Sequence, residues 1–156
     1  MPIQDPRELL GRDVTPEEYD RIRELWKAHS LAEDARDVAG LLATLTADCV
    51  YEVVPTGHRW EGHDGARRFY QTLIGAFPDV RFDLANIVIG PQGVYEEARL
   101  RATHDRDWLE FRATGRALDF PVLIFFPWDP GRELFHGERV HFDPRAAGLA
   151  APSTPG

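Results

Sequence analysis

Cys49 is the only cysteine in 156 residues, which excludes an intrachain disulfide framework and a cysteine-based zinc cluster. Positive charge is also scarce. Against 26 acidic residues there are 18 basic ones, a formal net charge of -8, so phosphate backbones and anionic bilayers are repelled unless a local basic patch intervenes. Arg67-Arg68, at the start of a helical pattern, is a single short basic pair and makes no such patch. No apolar run reaches the length of a membrane span, and Met1–Arg12 contains no apolar segment of signal-peptide length. These deficits point to a cytoplasmic protein without nucleic-acid or membrane partners. There is no HxH, HxxxH or HExxH pair and no serine in a nucleophile elbow. Gly90-Pro91-Gln92-Gly93 is a hairpin turn whose proline lacks the amide a phosphate cradle would use. No metal, no cofactor and no covalent catalysis are expected.

What is present is enough apolar material for one substantial core, 43% hydrophobic and 11% aromatic. After an N-terminal extension over residues 1–14, Thr15-Pro16-Glu17-Glu18 predicts a helix start, with Thr15 as N-cap and Glu18 closing a capping box. Tyr19, Ile22, Trp26 and His29 then form an amphipathic stripe. A second helix is expected after Asp37, with Val38, Leu41, Leu42 and Leu45 buried. Cys49–Pro55 reads as a strand, and His63–Phe77, stopped by Pro78, as a third helix.

From there the period changes from helix to strand. Strands are expected over Arg81–Gly90, Val94–His104, Trp108–Thr114, Ala117–Trp128 and Glu133–Phe142, separated by turn clusters. Helices first and a strand meander afterwards predict an α+β fold: one domain over 15–145, its mostly antiparallel sheet covered on one face by about three helices. Residues 146–156, small and proline-containing, are expected to be a mobile tail.

Several short motifs carry a family resemblance: Gly62-His63-Asp64-Gly65, Ala76-Phe77-Pro78-Asp79-Val80, Ala102-Thr103-His104, Thr114-Gly115-Arg116 and Gly137-Glu138-Arg139-Val140-His141-Phe142-Asp143. In this order the chain resembles the nuclear transport factor 2-like superfamily, and within it the SnoaL-like polyketide cyclases. The resemblance implies a cone-shaped curved sheet, open at one end and closed by helices. It also implies cofactor-free chemistry with an acidic residue on the last strand as general acid/base, a position that corresponds to Glu138. Two departures stand out: the family acid is typically Asp, and the Phe120–Trp128 strand offers no polar partner.

Independently of any resemblance, Glu138 falls in strand phase with Leu134, His136, Val140 and Phe142. A carboxylate among core-facing positions must be paired, neutralised or used. His136 on the same expected face and His104 on the inward face of its strand are the candidate helpers. Glu96 shares that inward phase and is expected to face Glu138 across the sheet, an arrangement that drives two proton affinities apart. Glu52 lies where ketosteroid isomerase-like relatives keep a carboxylate. Trp26, His29, Trp108, Phe120, Val122 and Ile124 are candidates for the pocket wall, with plain core packing as the alternative for the aromatic ones. The alternative for Glu138 is a structural ion pair with Arg139 of a neighbouring subunit or with an arginine of another strand.

Two functions follow as expectations. One is a cofactor-free cyclase, isomerase or hydrolase-type enzyme acting on an apolar, ring-containing or polyketide-like small molecule through Glu138, helped by His136 or His104. The other is a non-catalytic ligand-binding or dimerisation domain, because the apolar pattern on both sides of Phe120–Trp128 suits a homodimer formed through the sheet.

Overall fold

The structure is a computed structural model, and it describes residues 5–149. Its elements run α1 (Pro6–Leu9), α2 (Pro16–Asp34), α3 (Val38–Leu42), β1 (Leu45–Val53), β2 (His58–Glu61), α4 (Gly62–Ala76), β3 (Arg81–Gly90), β4 (Gly93–Thr103), β5 (Ala117–Asp129) and β6 (Leu134–His141). One curved six-stranded sheet has the order β2-β1-β6-β5-β4-β3. Every pairing is antiparallel except β1 with β6, which is parallel. The expected mixed fold is therefore present, with helices packed on one face.

α2 begins as its residues require. Pro16 occupies the first turn, and the Thr15 hydroxyl accepts a hydrogen bond from the Glu18 amide at 3.2 Å. The Glu18 side chain does not close the expected capping box. It turns inward instead, accepting from Arg12 Nη2 at 2.6 Å and from Trp128 Nε1 at 3.0 Å, which clamps the N-terminal segment to β5. Arg12, then, holds the Glu18 carboxyl below the usual range against the opposing effect of burial. The buried stripe of α2 is Glu18, Ile22, His29 and Ala32, with Trp26 half-buried beside it. Tyr19, expected on that stripe, is rotated out to solvent under the guanidinium of Arg23.

Three further expectations need correction. β1 starts at Leu45, earlier than Cys49. β2 was not expected: its four residues are too few to show alternation, and it forms by folding back on β1 across Pro55-Thr56-Gly57. Trp108–Thr114 is not a strand. It keeps only an isolated Trp108–Phe111 bridge, because Asp107 Oδ1 accepts from the Ala113 amide at 2.7 Å and closes the segment into a loop. The expected tail falls largely on 150–156, outside the described residues. Its first part is packed, since Ala147 and Leu149 are buried and the Leu149 amide donates to the Pro144 carbonyl.

The last strand contains the feature that places the site. Between Phe125–Arg139 and Trp128–Phe135 the β5–β6 register slips, and between Leu45–Phe135 and Val50–Gly137 the β1–β6 register slips as well. Gly137, with φ of 113°, sits at this bulge; a Cβ there would collide with the Val50 carbonyl. The extra residue inverts the side-chain phase of β6, so Phe135 is buried before the slip and Glu138 and Val140 after it. His136 consequently leaves the face of Glu138.

Candidate active site

Glu138 is 3% exposed and lies in the centre of a hydrogen-bond network built from four elements. Its Oε1 is 2.8 Å from His29 Nε2 on α2, 2.9 Å from the Tyr70 hydroxyl on α4 and 3.4 Å from the Tyr51 hydroxyl on β1. The two phenols are 2.9 Å apart. Burial, and then the neighbouring Glu138, push both tyrosines well above the ordinary phenol range, so they remain neutral donors. No described residue bonds to Glu138 Oε2, and the residue borders an apolar cavity.

The tautomer of His29 follows from its other neighbour. Thr44 spends its only hydroxyl proton on the Leu41 carbonyl at 2.7 Å, so its oxygen accepts from His29 Nδ1 at 2.7 Å. With Nδ1 protonated, the Nε2···Oε1 contact contains one proton shared between imidazole and carboxylate. The pair is either imidazolium and carboxylate or imidazole and carboxylic acid. A substrate can take that proton or return it without rearrangement of the heavy atoms.

The cavity is a narrow slot whose empty space, mouth included, is about 450 Å³. Phe69, Phe77, Phe82, Trp108, Phe120 and Phe142 supply aromatic walls, and Val122 and Ile124 the floor of β5; among the described residues Glu33 and Glu138 are its ionisable groups. Glu33, one helical turn beyond His29, is half-buried, and its carboxylate accepts no hydrogen bond from a described residue. Burial, followed by the charges of Glu138 and Glu96, raises it well above the carboxylate range. Glu96 is buried, accepts from Trp26 Nε1 at 3.1 Å, and is raised to about 7, mainly by burial and next by Glu138.

Other candidates lie elsewhere. His136 is on the opposite face, its Nδ1 3.2 Å from Thr46 Oγ1 and its Nε2 3.2 Å from Asp129 Oδ2, because of the phase inversion at Gly137. His104 is fully buried against Phe77, its ring nitrogens have no hydrogen-bond partner among the described residues, and it borders neither cavity; burial lowers its proton affinity. Glu52 faces outward and pairs with Arg139 at 3.5 Å, so Arg139 is engaged away from Glu138. Trp108, Phe120, Val122 and Ile124 line the slot, and Trp26 and His29 border the space beside it.

Sequence reasoning missed Glu33 as a pocket residue, and it missed Thr44, Tyr51 and Tyr70 entirely. The four-residue spacing of His29 and Glu33 on α2 was the available signal for Glu33. Nothing in an apolar stripe separates a tyrosine whose hydroxyl is used from a phenylalanine. Among the described residues His29, Glu33 and Glu138 also form the group whose donor atoms, within 4.8 Å of one another, could share a cation. His29 and Glu138 already satisfy each other there.

The model of a family described as the SnoaL-like domain matches residues 20–134 of the chain. No curated protein matches it at the level of sequence. Among solved structures, a candidate SnoaL-like polyketide cyclase from Jannaschia sp. CCS1 superposes with a TM-score of 0.75 at 21% identity, covering 93% of this chain and 100% of that one. A candidate polyketide cyclase from Pseudomonas putida KT2440 gives 0.66 at 20% identity, covering 83% and 98%. AclR, a candidate hydroxylase from Streptomyces galilaeus, gives 0.64 at 16% identity, covering 82% and 78%. At these identities the likeness is one of fold.

Proposed function

Because this chain belongs to the SnoaL-like domain family, we propose that it is an enzyme performing general acid/base chemistry with its own side chains on an apolar, ring-containing or polyketide-like small molecule. The observation that carries this reading is the asymmetry of Glu138: one oxygen is held by three donors while the other borders an apolar slot. A carboxylate so fixed is oriented before the substrate arrives. In the proposed step Glu138 Oε2 takes a proton from carbon or oxygen next to a substrate carbonyl. His29 accommodates the change through the shared proton, and protonated Glu33 donates to the developing oxyanion. When Glu138 delivers its proton to the product and the enol returns its own proton to Glu33, the cycle closes, which is the proton traffic of cyclase- or isomerase-type chemistry.

Glu138→Gln keeps the shape and the Oε1 acceptor but removes the base. Turnover of a substrate found by screening aromatic ketones and polyketide-like compounds is expected to fall by about 10²-fold or more, within the range general-base removal costs. Full turnover by that variant would sink the assignment.

A second reading, assembly, is favoured by the outer face of the sheet. Val88, Tyr95 and Leu123 are exposed there, and Tyr95 stacks on Phe125 with centroids 4.4 Å apart. Glu97 and Arg139 bring both signs of charge to the same face, the mixture a self-complementary contact uses. We therefore propose a homodimer through this face, compatible with either an enzyme or a non-catalytic ligand-binding domain.

A further inference from the structure

A second space adjoins the slot, sharing Glu33, Phe82 and Ile124 with it, but its chemistry differs. Carboxyl groups of Glu33, Asp34 and Glu96 meet the rings of Trp26, Phe82 and Phe126 around it, and among the described residues no lysine or arginine lines it. Two buried carboxylates, one lining this space and one the adjoining slot, are only partly satisfied. Glu96, 7% exposed, takes the Trp26 indole proton on Oε2, and no described residue donates to its Oε1. Glu138, 3% exposed, likewise leaves Oε2 without a donor. The free oxygens of Glu96 and Glu138 call for a ligand that brings donors. The crowding is severe enough that burial and mutual repulsion raise Glu33 well above the carboxylate range and Glu96 to about 7, a cost that a cation at this position would remove.

Sign and shape together narrow the occupant. An anionic group would meet the carboxylates of Asp34 and Glu96 and, among the described residues, no basic side chain except His29, which is engaged with Glu138. A bare metal ion would gain nothing from the aromatic walls. An alkylammonium group gains from both, through charge-assisted hydrogen bonds to the carboxylates and through the faces of the rings. We infer that this vestibule receives the protonated amine of a ligand whose apolar ring occupies the slot, an inference that rests on reading the slot as a substrate site. Glu96 is the residue that selects for the amine, and Asp34 at the rim adds to the attraction.

Isothermal titration calorimetry at pH 8 with three probes of one shape tests this: 1-naphthylmethylamine, 1-naphthalenemethanol and 1-naphthoic acid. The amine is expected to bind about tenfold or more tightly than the alcohol, equivalent to about 1.4 kcal/mol, and the acid more weakly than either. Glu96→Gln is expected to bring the amine-to-alcohol ratio to about twofold or less, in keeping with loss of a charge-assisted contact. Asp34→Asn, at an exposed position, reads the same ratio should the buried substitution fail to fold. Alcohol binding as tight as amine binding, or an undiminished ratio in both variants, overturns the vestibule while leaving the slot intact. Failure of all three probes to bind overturns the slot and with it the reading beneath.

Discussion

Glu96 is placed where an ionised carboxylate is least stable, and that makes folding depend on pH. Its folded proton affinity is raised to about 7 from the ordinary 4.5. Between those values the native state binds more protons at this site than the unfolded state does. The stabilisation is thus fully present below about pH 4.5 and is lost as pH rises through about 7, with a limit of about 3 kcal/mol for a shift of this size. Urea unfolding of the wild type and of Glu96→Gln at pH 5 and pH 8 isolates the term from carboxylates such as Asp79 and Asp119, whose affinities are lowered and whose effect runs the other way. The difference between the two proteins should favour the variant increasingly as pH rises; a difference independent of pH would refute the assignment. Glu96 could be read from strand alternation alone because β4 alternates without interruption against β5. The hydroxyls of Tyr51 and Tyr70 could not, since periodicity reports burial and says nothing about which polar tip meets which partner.

At the scale of elements, the long ones were legible because each repeats its signal. α2 and α4 have capping, proline or periodic cues at their ends, and β3 runs over Arg81–Gly90 as its alternation and turn residues imply. β2 and the Trp108 loop were not legible, since one is fixed by pairing with β1 across a turn and the other by a single side-chain bond from Asp107 to the Ala113 amide. The phase of β6 is the instructive case. Alternation correctly turned Glu138 inward but also turned His136 inward, and only the bulge at Gly137 separates them. Gly137→Ala should test how much the bulge matters. With φ of 113° and the Val50 carbonyl in the way of a Cβ, the substitution is expected to destabilise the protein by about 3 kcal/mol, combining backbone strain with overpacking. Chemical denaturation measures this directly, and a loss below about 1 kcal/mol would mean that the strand can re-register at little cost.

For the whole molecule, the order of helices and strands is what allowed the architecture to be anticipated, and it places the outer sheet face opposite the helical layer. The proposed homodimer is a property of that face. Sedimentation velocity at micromolar concentration should give a single species near twice the 17.7 kDa chain mass, and Leu123→Glu, which introduces a charge into an exposed apolar position, should shift it toward monomer. A wild-type monomer at that concentration excludes the assembly.

The sheet order also gives the two walls of the slot unequal mechanical standing. β6, with Glu138, lies between β1 and β5, and both of its edges are hydrogen-bonded. β3, with Phe82 on one wall, is bonded only to β4, breaks its own register after Leu84, and is exposed along most of its length. Opening free energies are lowest at such edges. The slot therefore behaves like a vice with one fixed jaw and one sprung jaw: a ligand wider than the resting gap displaces β3, while the acid stays where it was set.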